Sequence, residues 1–217
     1  MSLAQGPEPR LLALGDSYTI GEGVAAEERW PSQLERAFAG EGLALAVEVL
    51  ATTGWTTDEL AAAMARRGLE GPYELVTLGI GVNDQYRGRP PEAFRAGLAA
   101  LLGRAIELAG GRAERVLVLS IPDWGVTPFA AASGRDPARI AAEIDAFNAI
   151  ARAEAEARGA AFVELTALSR ELGAGALAAD GLHPSAAQYA LWVERRILPA
   201  VRRALAGGGD AQRPAGR

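Results

Sequence analysis

The chain has 217 residues, of which 49% are hydrophobic, so it can bury the core of one domain and is too short to indicate two. Its formal net charge is −5 and its 22 basic residues are scattered arginines, which excludes the electrostatic footprint of a nucleic-acid-binding protein. With no cysteine and one histidine, disulfides, thiolate chemistry and zinc sites built on several imidazoles are excluded as well.

Short apolar runs alternate with longer segments of helical period, which is typical of β-α-β units around a mostly parallel sheet. In chain order, the predicted strands are Arg10–Gly15, Ala44–Ala51, Tyr73–Gly79, Arg115–Ile121 and Ala160–Leu165. The predicted helices are Pro31–Ala39, Thr57–Arg67, Pro91–Ala109, Pro137–Arg158 and Pro184–Leu205, and all but the second begin with proline. We expect one α/β domain over residues 10–206, with flexible segments at 1–9 and 207–217.

Polar motifs follow the predicted strands at the edge where parallel α/β sheets bind ligands. The first strand leads to Gly15-Asp16-Ser17, the second to Thr53-Gly54-Trp55 and the third to Gly81-Val82-Asn83-Asp84. Far downstream, Asp180-Gly181-Leu182-His183-Pro184 precedes the last predicted helix. These four motifs are the candidates for a functional site.

Ser17 and His183 are the residues best suited to nucleophilic chemistry. A serine hydroxyl needs a base to accept its proton, and His183 is the only imidazole in the chain. Asp180, three residues earlier, can accept the Nδ1 proton and fix the tautomer of His183. Because Pro184 biases His183 away from helical geometry, we expect a compact turn that presents both side chains together.

A negative oxygen develops during acyl transfer, and it needs preorganised hydrogen-bond donors. The backbone N–H groups of Ser17 and Gly54 are two candidates, Gly54 because a residue without Cβ lets the backbone approach a substrate closely. The side-chain amide of Asn83 is the third. We read Asp16 and Asp84 as turn and cap residues outside the triad.

In this order, the four motifs resemble the four blocks of the SGNH (GDSL-type) hydrolase superfamily. The resemblance runs from about Arg10 to Leu205. It implies a flavodoxin-like, three-layer α/β/α fold with a five-stranded, mostly parallel sheet. It also implies the following roles: Ser17 as nucleophile, Gly54 and Asn83 in the oxyanion hole, and His183 with Asp180 completing the triad.

Five aromatic side chains follow predicted strands and can line an acyl or alcohol pocket: Tyr18, Trp55, Tyr86, Trp124 and Phe129. They can equally close the core at that end of the sheet. Tyr18 stands where the namesake motif of the superfamily has leucine, and we expect it to affect the pocket rather than the chemistry. The loops Gly21–Arg29 and Asp123–Asp136 adjoin the predicted site and are expected to set specificity.

These observations predict a serine esterase that hydrolyses a small-molecule carboxylic ester through an acyl-enzyme, without a metal or other cofactor. Two alternatives stay open: a deacetylase of acetylated carbohydrate on the same fold, and a non-catalytic protein that binds small ligands. Gly21–Ala26 formally fits a dinucleotide fingerprint, but it begins several residues after the strand, so nucleotide binding is not expected. The preferred ester and the oligomeric state stay undetermined.

The first ten residues lack the basic start and the apolar run of a secretory signal. No stretch approaches the roughly 18 uninterrupted apolar residues that cross a bilayer. We therefore expect no transmembrane segment, no nucleic-acid partner and a cytoplasmic location.

Overall fold

The computed structural model describes residues 8–206 and has a five-stranded parallel sheet as its centre. The strands are β1 (Arg10–Gly15), β2 (Ala46–Ala51), β3 (Leu75–Gly79), β4 (Val116–Leu119) and β5 (Ala161–Val163). Their order across the sheet is β2-β1-β3-β4-β5, and every neighbouring pair is parallel. The predicted α/β class and the positions of all five strands are thereby confirmed, although four strands are shorter than predicted.

The register of the sheet aligns the ends of its first three strands. Gly15, the last residue of β1, lies opposite Ala51 at the end of β2 and Gly79 at the end of β3. The segments that leave these strands therefore emerge side by side. In β1, Leu11, Leu12 and Leu14 are fully buried, as expected for a strand covered on both faces.

Helices follow each strand within residues 8–206. They are α1 (Ser17–Ile20), α2 (Trp30–Gly40), α3 (Thr57–Arg67), α4 (Val82–Tyr86), α5 (Pro91–Leu108), α6 (Pro128–Ser133), α7 (Pro137–Ala157), α8 (Thr166–Leu172), α9 (Ala186–Trp192) and α10 (Leu198–Ala206). Helix α5 packs between α3 and α7, all three contact the sheet, and α2 packs with α9. The four long helices predicted before residue 160 are confirmed as α2, α3, α5 and α7.

The last predicted helix is wrong in two respects. Pro184 lies before the helix, because Ser185 is the N-cap and its hydroxyl accepts the N–H of Gln188. The segment is also divided by a π-helical turn, Val193–Ile197, between α9 and α10. An apolar spacing of three to four residues does not distinguish a continuous helix from one with such a turn.

Four short helices, α1, α4, α6 and α8, were not predicted because they are too short to display a helical period. The predicted loop Asp123–Asp136 contains α6 and a 3₁₀ turn at Trp124–Val126. None of the helices among residues 8–206 is both long and apolar enough to cross a membrane. The predictions of flexibility at residues 1–7 and 207–217 lie outside the described residues.

Candidate active site

Ser17 is the first residue of α1, directly after β1. The carboxylate of Asp16 caps this helix, because its Oδ1 accepts the N–H of Tyr18 at 3.1 Å. A Cβ at Gly15 would lie 2.5 Å from the carbonyl oxygen of Gly79, so the end of β1 requires glycine beside β3. The tight strand-to-helix turn leaves Ser17 4% exposed at the edge of a cavity of about 190 Å³.

His183 lines the same cavity as Ser17, although 165 positions separate the two residues along the chain. Its segment is a compact turn in which the carbonyl oxygen of His183 accepts the N–H of Ala178 at 2.7 Å. Gly181 has a φ of +67°, which glycine adopts more readily than other residues. The turn leaves only 8% of the surface of His183 exposed.

Asp180 holds His183 by both its side chain and its backbone. Oδ2 of Asp180 lies 2.7 Å from Nδ1 of His183, and Oδ1 accepts the backbone N–H groups of Leu182 and His183 at 2.9 Å each. Partial burial raises the pKa of Asp180, but these hydrogen bonds outweigh it and hold the pKa below its usual range. An ionised carboxylate only accepts, so in the neutral form of the imidazole the proton lies on Nδ1 and Nε2 is the acceptor.

Gly54 and Asn83 also line the cavity; they follow β2 and β3, which end beside β1. Gly54 has a φ of +87°, yet an added Cβ would meet nothing closer than a guanidinium nitrogen of Arg87 at 3.8 Å. Glycine is therefore required here by the backbone conformation rather than by space. The Asn83 amide donates one hydrogen bond to the carbonyl oxygen of Trp55 at 2.9 Å, which orients the side chain.

Four of the five aromatic residues proposed from sequence line the cavity: Tyr18, Tyr86, Trp124 and Phe129. The rings of Tyr86 and Trp124 meet edge to face with centroids 5.4 Å apart, and Phe129 lies 6.1 Å from Trp124. We call Tyr86, Trp124 and Phe129 the aromatic wall. Trp55 is not among the residues that line the cavity, and its contribution is the carbonyl group that holds Asn83.

Sequence reasoning missed the residue that holds the aromatic wall in place. Gln85, on α4, is buried; its Oε1 accepts the indole N–H of Trp124 at 2.9 Å, and its Nε2 donates to Glu143 on α7 at 2.8 Å. Thr53 was also missed as a lining residue; its hydroxyl donates to the carboxylate of Glu22. Thr53 stands in the second motif without an assigned role, and Gln85 directly follows the third motif, so only the structure identifies their contacts.

The buried carboxyl groups of Asp16 and Asp84 lie next to the site residues in sequence but do not line the cavity. Both oxygens of Asp84 are bound by Thr57, Oδ2 to its N–H at 3.0 Å and Oδ1 to its hydroxyl at 2.8 Å, which ties α4 to the start of α3. Burial raises the pKa of Asp84, and burial raises that of Asp16 to about 7. The sequence interpretation of both as turn and cap residues agrees with these contacts.

Ser17 and His183 must come within hydrogen-bonding distance for the serine to lose its proton to the imidazole. Within the part of the chain that the structure describes, Ser17 and His183 share one cavity but no hydrogen bond joins the serine hydroxyl to the imidazole. The same residues contain no group of three or more His, Cys, Asp or Glu side chains placed to hold a metal ion.

A parallel α/β sheet with a serine after its first strand and an Asp-His pair before its last helices defines a class of serine hydrolases. The chain belongs to the GDSL-like lipase/acylhydrolase family, whose model matches residues 13–191. Membership places it among the hydrolases of carboxylic esters. The predicted superfamily, fold class and enzyme class are therefore confirmed.

Individual relatives agree with this assignment. The chain is 28% identical over 125 residues to an arylesterase of Vibrio mimicus, an alignment that spans 58% of this chain and 62% of the relative. It is also 28% identical over 188 residues to the esterase TesA of Pseudomonas aeruginosa, covering 84% of this chain and 83% of the relative. A crystal structure of TesA superposes with a TM-score of 0.72 at 24% identity, covering 90% and 99% of the two chains.

Proposed function

We propose that the chain is a serine esterase in which Ser17 is the nucleophile, His183 the general base and Asp180 the group that orients the base. One observation carries the proposal: His183, whose imidazole is hydrogen-bonded to Asp180, lines the same cavity as Ser17, the first residue of α1. The substrate is a small-molecule carboxylic ester whose acyl or alcohol group contacts the aromatic wall.

The reaction proceeds in two steps. Oγ of Ser17 attacks the carbonyl carbon while Nε2 of His183 takes the hydroxyl proton, and the alcohol leaves with that proton to give an acyl-enzyme. Water then attacks the acyl carbon, His183 takes a water proton, and the carboxylic acid leaves as Ser17 recovers its hydrogen. Because catalytic hydrogen bonds are often long without substrate, we expect the Ser17 to His183 contact to tighten on binding.

The oxyanion of each tetrahedral intermediate is stabilised by the N–H groups of Ser17 and Gly54 and by the amide of Asn83. The second N–H of the Asn83 amide remains available, because one donates to Trp55. Asn83→Ala should therefore lower kcat about 10²- to 10³-fold. Steady-state kinetics on a folded variant measures this, and an unchanged kcat would remove Asn83 from the role.

Ser17→Ala tests the proposal directly. The variant should lose p-nitrophenyl acetate hydrolysis by several orders of magnitude, because alanine has no hydroxyl to attack the carbonyl carbon and form the acyl-enzyme. Ser133→Ala is the matched control, since Ser133 is an exposed serine outside the cavity and should keep the wild-type rate. A folded Ser17→Ala variant that hydrolyses the ester at the wild-type rate would reject the proposed nucleophile.

Turnover also separates the esterase from a non-catalytic binding protein, which would bind esters without releasing p-nitrophenol. The cytoplasmic location predicted from the sequence stays a prediction, and cell fractionation tests it.

A further inference from the structure

A second depression lies beside the catalytic cavity and has no role in the reaction described above. Its volume is about 490 Å³, and it shares Tyr86 with the catalytic cavity. Its charged lining residues are Arg87, Arg135, Asp136, Arg139 and Glu143. A ligand that occupies both spaces would pass the exposed edge of Tyr86, which is 40% exposed.

The two carboxylates of the depression are already bound by the protein. Oδ1 of Asp136 accepts the N–H of Ala138 at the start of α7. Glu143 accepts from Nε of Arg139 and from Gln85, both at 2.8 Å, and these bonds lower the pKa of Glu143. Glu143 is therefore an ionised acceptor whose two oxygens are both engaged.

Arg87 is paired with Glu59 at 3.3 Å and donates to the carbonyl oxygen of Gly54 at 2.7 Å. Arg135 and Arg139, in contrast, keep unused donors. Arg135 uses only Nη2, which donates to the carbonyl oxygen of Tyr86 at 2.9 Å, while its guanidinium carbon lies 4.4 Å from the centre of the Tyr86 ring. Within residues 8–206 no carboxylate lies within ion-pairing distance of Arg135. Arg139 uses only Nε, and both of its terminal nitrogens remain available.

Because Arg87 is paired with Glu59 and Arg139 with Glu143, what the lining has in surplus is N–H donors on the guanidinium groups of Arg135 and Arg139. A ligand that complements such a surface carries negative charge and only accepts hydrogen bonds, as a carboxylate or a phosphate does. We propose that the depression is a subsite for an anionic group of the ester substrate, bound by Arg135 and Arg139 while the scissile carbonyl lies at Ser17. This inference rests on the proposed esterase function.

Paired esters that differ only in charge test the subsite. One pair is 4-nitrophenyl hydrogen glutarate and its methyl ester, with the charge on the acyl group; the other is 4-acetoxybenzoate and its methyl ester, with the charge on the alcohol. 4-(Phosphonooxy)phenyl acetate replaces the carboxylate by phosphate. In at least one pair the wild-type enzyme should have the higher kcat/KM for the anionic ester, and salt should reduce this preference because it screens exposed charges.

Arg135→Gln and Arg139→Gln should each lower the ratio of kcat/KM for the anionic ester to that for the neutral ester by roughly three- to tenfold, as expected for charge-assisted bonds at a partly exposed site. The ratio cancels any general effect of Arg135 on the aromatic wall. Arg152→Gln is the matched control: Arg152 also stacks on a ring, 4.3 Å from that of Phe162, but lines neither space, so the ratio should not change.

If neither Arg135→Gln nor Arg139→Gln changes this ratio, the proposed subsite is wrong. The proposed esterase function still holds in that case, provided that Ser17→Ala abolishes hydrolysis of the neutral ester. If no ester is hydrolysed, the proposed function fails, and calorimetric titration with glutarate and with inorganic phosphate tests the subsite alone. Binding by the wild type that Arg135→Gln weakens would support it. No binding of either anion at millimolar concentration would reject it.

Discussion

Asp16 is a carboxyl group buried beside the proposed nucleophile, and only 2% of its surface is exposed. Burial, reinforced by the charge of Asp84, raises its pKa from 3.8 to about 7, despite the hydrogen bond from the Tyr18 N–H. A pKa that folding raises means that the native state favours the protonated form. The contribution of the Asp16 carboxyl group to the free energy of unfolding is therefore largest below pH 3.8, and it is lost as the pH rises through 7.

Asp16→Asn should therefore stabilise the protein at alkaline pH. The amide stays neutral and its oxygen can still accept the N–H of Tyr18, so the cost of the buried charge disappears. Each pKa unit is worth about 1.4 kcal/mol, which gives a gain on the order of 4 kcal/mol at pH 8 that vanishes towards pH 4. Urea unfolding of both proteins across this range measures it. A difference that does not vary with pH would contradict the assignment.

The candidate site could be found from the sequence because its chemistry needs rare side chains in fixed places. The single imidazole and the polar residues after the first three strands left few choices, and Ser17, Gly54, Asn83 and His183 line one cavity. Gln85 could not be found in this way, because a neutral amide that bonds across elements follows no sequence period.

At the scale of elements, the long helices and the strands could be predicted because burial on a sheet requires apolar periodicity. The two elements that present site residues, α1 and α4, have only four and five residues. Capping and tertiary hydrogen bonds define such short helices, as the bonds from Thr57 to Asp84 illustrate, and these partners are distant in sequence.

Gln85 connects three elements: α4, α7 and the 3₁₀ turn that carries Trp124. Gln85→Met should lower the free energy of unfolding by about 1–3 kcal/mol, because it leaves the buried indole N–H without a partner. Trp124→Phe removes that N–H as well, so the double variant should cost less than the sum of the single variants, with a coupling of about 0.5–3 kcal/mol. Urea unfolding of the four proteins measures this coupling. Additive effects within about 0.3 kcal/mol would show that Gln85 does not act through Trp124.

At the scale of the molecule, all five strands join one sheet and the buried side chains form one continuous cluster. The sequence interpretation of one domain over residues 10–206 predicts that this cluster unfolds as a unit. Calorimetry should then record a single transition whose calorimetric and van't Hoff enthalpies agree. Two resolved transitions would indicate separate cooperative units.

The order of Ser17 and His183 along the chain determines when the site can form during synthesis. A ribosome makes the chain from its first residue onwards, so the hydroxyl of Ser17 emerges early and the imidazole of His183 emerges after β5, the last strand. Under the proposed roles, a nascent chain that has already completed its sheet still lacks its proton acceptor. Hydrolytic competence would thus arise only after the sheet is complete, once the turn carrying Asp180 and His183 packs beside α1.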